Sequence, residues 1–143
     1  MNWKFLAMEK LQRFPAMRQA ISSLSDEIRQ LELSMEGIKS PSLLAVAAGS
    51  RGSGKEDKLL NDLVYRQELQ HALEWACQWV RTVEGALSCL TEEEVMVLQK
   101  SYMSQEQDLH PWISMQMERT TFYRKRDKAL ENFTLSLYGT IQS

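Results

Sequence analysis

The sequence predicts an all-α fold in which a long, coiled-coil-like helical hairpin precedes a small C-terminal helical domain. The 143 residues include only six glycines and three prolines, and 43% of them are hydrophobic. This composition favours helices and allows one compact domain with a helical extension. Apolar residues in the first third follow the four-and-three spacing of helices that pack along a seam. A helix-start signal near residue 91 marks the beginning of the smaller domain.

Residues 1–39 are predicted to form two helices with a boundary at Phe14–Pro15. Proline lacks a backbone N–H and suits the first turn of a helix, so a short helix over residues 2–13 should precede a longer one. Beyond the proline, a coiled-coil seam is expected over three heptads. The seam consists of Met17, Ile21, Leu24, Ile28, Leu31, Met35 and Ile38.

Residues 40–56 are predicted to be a flexible linker, because Pro41 ends the preceding helix and three glycines follow it. Part of this linker, GSRGSGK, has the frame of a phosphate-binding loop. The next residue is Glu56, however, where Mg²⁺ binding requires Ser or Thr, so the linker interpretation is preferred.

Residues 57–89 are predicted to form a second long helix from about Asp57 to Ser88. We expect it to pack against the first long helix as an antiparallel hairpin, within one chain or across a dimer. Its apolar stripe consists of Tyr65, Leu69, Ala72, Ala76, Trp79, Val83 and Ala86.

Residues 90–143 are predicted to form a helix-turn-helix domain. Thr91 and Glu94 have the spacing of a capping box, which begins a third helix. Pro111 is well placed to begin a short helix, and a turn near residues 116–118 leads to a last helix over about 119–137. A short helix joined by a tight turn to a basic helix is typical of this motif.

The last helix is predicted to have one apolar face and one basic face. At about 100° per residue, one arc holds Phe122, Ala129, Leu130, Phe133 and Leu137 and should face the core. Arg126 points towards that arc, so it is expected to reach a phosphate or an acidic neighbour rather than a base. Arg and Lys can donate to guanine, and Thr can contact a thymine methyl group or a phosphate. The predicted DNA-binding residues are Arg119, Thr120, Thr121, Tyr123, Arg124, Lys125 and Lys128.

The charge distribution agrees with a polyanionic partner. The chain has a formal net charge of −2, yet basic residues outnumber acidic ones after residue 118, and acidic ones dominate residues 91–118. A basic terminal segment on an acidic body matters more for DNA binding than the total charge.

The C-terminal third resembles the helix-turn-helix, similar to sigma-factor region 4, of small phage transcriptional regulators of the ArpU/RinA type. The matching elements are Leu90–Glu94, Arg119–Arg126, and Lys128–Leu130 with Phe133. The long helix, the Ser-Pro-Ser and glycine-rich linker and the second helix are also similar to that group. Two features depart from the pattern: Glu118 replaces a usual Ser, and Pro111-Trp112 replaces small or aliphatic residues.

The resemblance implies a phage or prophage regulator that binds promoter DNA and activates late genes. Host RNA polymerase is a candidate partner. A homodimer or higher homo-oligomer in the bacterial cytoplasm, associated with the nucleoid, is expected. No catalytic, cofactor or metal site is expected, since His71 and His110 have no second ligand at suitable spacing. Cys77 and Cys89 are expected to be reduced thiols. No membrane partner is expected, because the longest apolar run is too short to span a bilayer.

Two alternative functions remain open. A DNA-recognition subunit of phage packaging, similar to a small terminase, would form rings rather than dimers. A coiled-coil adaptor that binds RNA polymerase or another protein would keep its partner after the charges of residues 119–128 are neutralised.

Overall fold

The computed structural model describes residues 1–38, 53–106 and 108–142. Every regular element in these ranges is helical, so the all-α prediction is confirmed. A pair of long helices precedes three shorter ones and a π-helical segment. Their bounds are α1 Trp3–Ile38, α2 Ser53–Leu87, α3 Glu92–Leu98, the π-helical segment Gln99–Met103, α4 Pro111–Ser114 and α5 Arg119–Tyr138.

The predicted break at Phe14–Pro15 is wrong, because α1 is one continuous helix with Pro15 inside it. A proline in a helix interior costs about 3 kcal/mol, since it removes a hydrogen bond and its ring meets the preceding turn. Ala7, Leu11 and Phe14 are all buried just before the proline. Burying a Leu or Phe side chain contributes about 1.5–3 kcal/mol, so burial offsets the cost of the proline.

The predicted linker over residues 40–56 lies mostly outside the described residues. The second long helix begins at Ser53 rather than Asp57, so the last residues of the predicted linker belong to its first turn. Within the predicted stripe of α2, Tyr65 and Ala72 are exposed, and the remaining members are buried or half-buried. In the seam of α1, Ile28 and Met35 are buried.

The chain separates into two compact units, one comprising Gln19–Cys77 and the other Met1–Arg18 with Gln78–Ser143. In the first of these, Arg66 Nη2 lies 2.7 Å from Glu32 Oε1, which joins α2 to α1. In the other, the Lys10 ammonium lies 5.9 Å from the centre of the Trp79 ring. The unit that holds the predicted DNA-binding domain therefore also includes the beginning of α1 and the end of α2.

The core of the C-terminal helices lies between α3 and α5. Phe122, Ala129, Leu130 and Phe133 are buried, as the helical pattern of α5 predicts, and Leu137 is half-buried. α3 contributes buried residues on the facing side. Among the described residues, no helix combines the length and the apolarity that a membrane crossing requires.

The predicted capping box at the start of α3 is confirmed. Glu94 N–H donates to Thr91 Oγ1 at 3.2 Å, and Thr91 N–H donates to Glu94 Oε1 at 3.2 Å. These bonds satisfy two backbone donors that a helix start leaves without partners. The box therefore defines where α3 begins.

Candidate nucleic-acid interface

A tight turn joins α4 to α5. Gln116 and Met117 donate their backbone N–H groups to the carbonyls of Ile113 and Trp112, each at 3.0 Å. Gln116 has a φ of 55°, in the left-handed region that is costly for a residue with a Cβ atom. Turns of helix-turn-helix motifs often have glycine, but here a glutamine occupies the left-handed position, and the turn lies where the sequence predicted it, near residues 116–118. α5 begins at Arg119, as predicted.

The two faces of α5 differ sharply in exposure. Phe122 is 1% exposed, which anchors the first two turns of the helix to the core. Thr120, Arg124 and Lys128, four residues apart, are exposed on the opposite side, and Asp127 lies exposed among them. We call Thr120, Arg124 and Lys128 the outer row. No side-chain hydrogen bond or ion pair joins Thr120 or Arg124 to another described residue.

Arg119, Tyr123 and Arg126 cluster with Trp112 of α4, where the ring centres of Trp112 and Tyr123 lie 6.0 Å apart. The Arg119 guanidinium lies 5.5 Å from the Trp112 ring centre and 5.7 Å from that of Tyr123. The Arg126 guanidinium lies 4.7 Å from the Tyr123 ring centre. A guanidinium within about 6 Å of an aromatic ring is attracted by the electron density of the ring face. This cluster of Trp112, Arg119, Tyr123 and Arg126, which we call the aromatic–arginine stack, therefore links α4 to the first turns of α5.

Lys125 is committed to a neighbouring helix. Its Nζ lies 2.7 Å from Glu93 Oε1 in α3, and its side chain is 38% exposed. While it is paired with Glu93, Lys125 offers a partner less positive charge than an unpaired lysine would. Sequence analysis could not have found this pair, since it depends on how α3 and α5 pack.

Lys128, the last member of the outer row, lies beside carboxylates. Its Nζ is 3.9 Å from Glu131 Oε2, and Lys4 Nζ lies 3.0 Å from Glu131 Oε1. The hydrogen bond and the charge of Lys4, with a smaller contribution from Lys128, hold the pKa of the Glu131 carboxyl below its usual value. Because 70% of the Lys128 side chain is exposed, its ammonium can still reach an external anion.

Glu94 ties α3 to α5 from the same side. Asn132 Nδ2 donates to Glu94 Oε2 at 2.5 Å. Burial raises the pKa of Glu94, but hydrogen bonds from Asn132 and Thr91 and the charge of Lys128 outweigh it, so the pKa is lowered. An ionised Glu94 therefore holds α5 in place, while the outer row of α5 stays accessible.

Glu118, which precedes α5, does not cap the helix with its side chain. Its backbone is extended, with φ −73° and ψ 153°, and no side-chain bond to the first turn is formed. The N–H groups of the first turn therefore have no side-chain acceptor from this residue. Thr120 is exposed and Thr121 half-buried beside these donors.

The seven predicted residues thus occupy four kinds of environment. Thr120 and Arg124 are accessible, Thr121 is half-buried, and Arg119 and Tyr123 belong to the stack. Lys125 and Lys128 lie beside carboxylates. Sequence reasoning missed Trp112 as the partner of Arg119, because the contact spans the turn and follows no helical spacing.

Comparison with protein-family models, with curated proteins and with solved structures finds no match to this chain. The resemblance to ArpU/RinA-type regulators stays a prediction from the sequence.

Proposed function

We propose that this chain is a phage- or prophage-type transcription regulator that binds double-stranded promoter DNA through α5. The observation that carries the proposal is the outer row: Thr120, Arg124 and Lys128 are exposed together, directly after a tight turn, on a helix whose other face is buried. A helix presented in this way fits the major groove. The sequence resemblance adds activation of late genes, with contact to host RNA polymerase, as part of the same proposal.

The residues of this surface have different roles in the proposal. Arg124 reads a base, because a guanidinium can donate two hydrogen bonds to guanine O6 and N7. Thr120 and Thr121, with the N–H groups at the start of α5, bind a backbone phosphate. Lys128 contacts a second phosphate, and Arg119 reaches the backbone from the stack.

Glu118 and Asp127 limit the positive charge of this surface, since both are exposed carboxylates near the outer row. Affinity for DNA of arbitrary sequence should therefore be modest, and specific contacts should matter more. Phosphate binding releases counterions, so the affinity should fall as salt rises.

The test begins with selection of duplexes from a random library by the full chain. Arg124→Ala should lose preference at one position of the selected site and weaken specific binding by about 1–3 kcal/mol, measured by fluorescence anisotropy. Arg81→Ala is the matched control, because it removes the same charge from an exposed position of α2.

Two results would overturn the proposal. One is the selection of no sequence, together with an affinity for duplexes that does not depend on salt. The other is equal weakening by Arg124→Ala and Arg81→Ala, which would reduce the interaction to general charge attraction.

A further inference from the structure

The beginning of α1 lies against α5 on the side that carries the outer row. Lys4 Nζ is 3.0 Å from Glu131 Oε1. The ring centres of Trp3 and Tyr138 are 5.0 Å apart. At about 100° per residue, Glu131 and Tyr138 fall within the arc of about 80° that the outer row spans. All of these residues belong to one compact unit, so the surface that begins with the outer row continues onto the first turns of α1.

Two lysines in these turns are held beside α5. Lys4 shares the Glu131 carboxylate with Lys128, whose Nζ lies 3.9 Å from the second oxygen. The Lys10 ammonium lies 5.8 Å from the centre of the Tyr138 ring, which attracts it and restricts its position. The Lys4 side chain is 41% exposed, and Lys10 lines a cleft at the surface. We call Lys4 and Lys10 the basic extension of the outer row.

The cleft beside Lys10 favours an anion over a cation. Its volume is about 190 Å³, and the residues that line it are Leu6, Glu9, Lys10, Arg13 and Trp79. Arg13 is exposed and forms no ion pair with any other described residue. Its charge and that of Lys10 together outweigh the single carboxylate of Glu9, so the cleft attracts negative charge.

We propose that the basic extension binds the phosphate backbone of the same DNA duplex that α5 reads, with Lys4 and Lys10 on separate phosphates. Such a role depends on the DNA binding proposed for α5. The first residues of a recognition helix contact base edges in the major groove, and other parts of the protein hold the flanking backbone. The basic extension lies beside the second half of α5, where it can reach that backbone.

The position of Lys10 separates its contact from the one made by Arg124. Lys10 lies beside Tyr138, so its phosphate should be about 20 Å along α5 from the base that Arg124 reads. A phosphate contact carries no sequence information but fixes the register and orientation of a protein on the duplex. The basic extension should therefore strengthen binding to every sequence alike and orient α5 in the groove.

The first experiment measures the affinity of the full chain by fluorescence anisotropy over a range of salt concentrations. The probes are the duplex selected from the random library and a duplex of scrambled sequence. Lys4→Gln and Lys10→Gln should each weaken binding to both duplexes about three- to tenfold. Each should also reduce the slope of log affinity against log salt concentration by about 1, because one phosphate contact is lost. The base preference at the selected site should stay unchanged.

Matched variants separate a phosphate contact from a structural role. Lys4→Arg and Lys10→Arg keep the positive charge, so they should keep both the affinity and the salt slope. Lys58→Gln removes the same charge from an exposed position of α2 in the other compact unit and should have no effect.

The second experiment uses the carboxylate that holds Lys4 and Lys128 in the free protein. Glu131→Gln releases both ammonium groups and removes a negative charge from this surface. The affinity for both duplexes should therefore rise about two- to fivefold, the range expected when a surface ion pair no longer competes. A purely structural Glu131 would give the opposite sign, since the variant loosens α1 from α5. Glu68→Gln, at an exposed position of α2 in the other unit, is the control for the charge change and should leave the affinity unchanged.

Three results would overturn the proposal. Losses in Lys4→Gln and Lys10→Gln no larger than in Lys58→Gln would exclude the basic extension from the interface. A changed base preference in either variant would contradict a phosphate contact, and a lower affinity of Glu131→Gln would leave its bonds a structural role only. If Arg124→Ala still loses its preference at one position, the basic extension alone fails and DNA binding by α5 stands. An unchanged chain that shows no salt-dependent binding to duplexes would overturn both.

Discussion

At the scale of single residues, the aromatic–arginine stack determines how Arg119 meets a partner. An exposed arginine loses rotamer freedom when it binds a phosphate, at a cost of up to about 2 kcal/mol. Arg119 already lies beside the adjacent rings of Trp112 and Tyr123, which restrict its rotamers. Part of that entropy is therefore lost on folding rather than on binding, which favours association.

Replacing Trp112 tests this role. Trp112→Ala should weaken DNA binding about two- to fivefold, the effect expected for loss of an exposed cation–π contact of about 0.5–1 kcal/mol. The salt dependence should stay unchanged, since no charge is removed. Both quantities can be measured by fluorescence anisotropy at several salt concentrations.

Two matched variants make the result specific. Trp112→Phe should restore part of the affinity, because Phe keeps a ring face for the guanidinium. Ile113→Ala truncates an exposed neighbour on the same short helix and should have no effect. Equal losses in Trp112→Ala and Ile113→Ala would contradict the proposed role of the stack.

The residues show where sequence reasoning succeeds and where it fails. The burial of Phe122, Ala129 and Phe133 followed from helical spacing, which is a local property. The pairing of Lys125 with Glu93 joins side chains 32 residues apart. A helical wheel represents a single helix, so it cannot show which lysine of that helix pairs with a carboxylate of a different helix.

At the scale of elements, α1 shows that the burial of apolar side chains can outweigh a local helix-breaking residue. Pro15 is a strong indication of a helix boundary, yet Ala7 and Leu11 are completely buried before it and the helix continues. Burial depends on the whole fold and is not encoded in the neighbourhood of a proline. The starts of α3 and α4 were predictable because Thr91 and Pro111 act through nearby backbone groups.

Pro15→Ala should therefore stabilise the protein. Alanine has the N–H donor that can bond to the carbonyl of Leu11, and it removes the cost of about 3 kcal/mol that a proline carries in a helix interior. The unfolded chain gains conformational freedom without the proline, which lowers the stability by about 1 kcal/mol. We expect a net gain of about 2 kcal/mol in the free energy of unfolding, measured by urea denaturation. Gln12→Ala, at a neighbouring exposed position of α1, should change it much less. An unchanged or lower stability of Pro15→Ala would show that the proline ring itself contributes to packing.

At the scale of the whole molecule, ionised carboxylates hold together parts of one compact unit that are distant in sequence. Glu131 of α5 bonds to Lys4 of α1, and Glu94 of α3 bonds to Asn132 of α5. Both carboxyl groups have a lowered pKa in the folded protein. Their contribution to stability is therefore complete above their unfolded pKa of 4.5 and is lost as the pH falls through the folded values.

This predicts a loss of thermal stability on acidification below about pH 4.5. Glu131→Gln should lower the melting temperature at pH 7 and reduce the difference between pH 7 and pH 3, measured by circular dichroism. Glu84→Gln is a suitable control, because Glu84 is exposed on α2 and forms no ion pair with another described residue. The same acid sensitivity in Glu131→Gln as in the unchanged chain would contradict the assignment.

The bond between Lys4 and Glu131 also has a consequence for biosynthesis. These residues are 127 positions apart, so the ribosome must translate all of the intervening chain before they can meet. At about 5–20 residues per second, this takes on the order of ten seconds. During that interval the apolar side chains of Leu11 and Phe14, which are buried in the finished unit, have no completed core to enter. The nascent chain should therefore be a substrate for holding chaperones until α5 emerges and the unit closes.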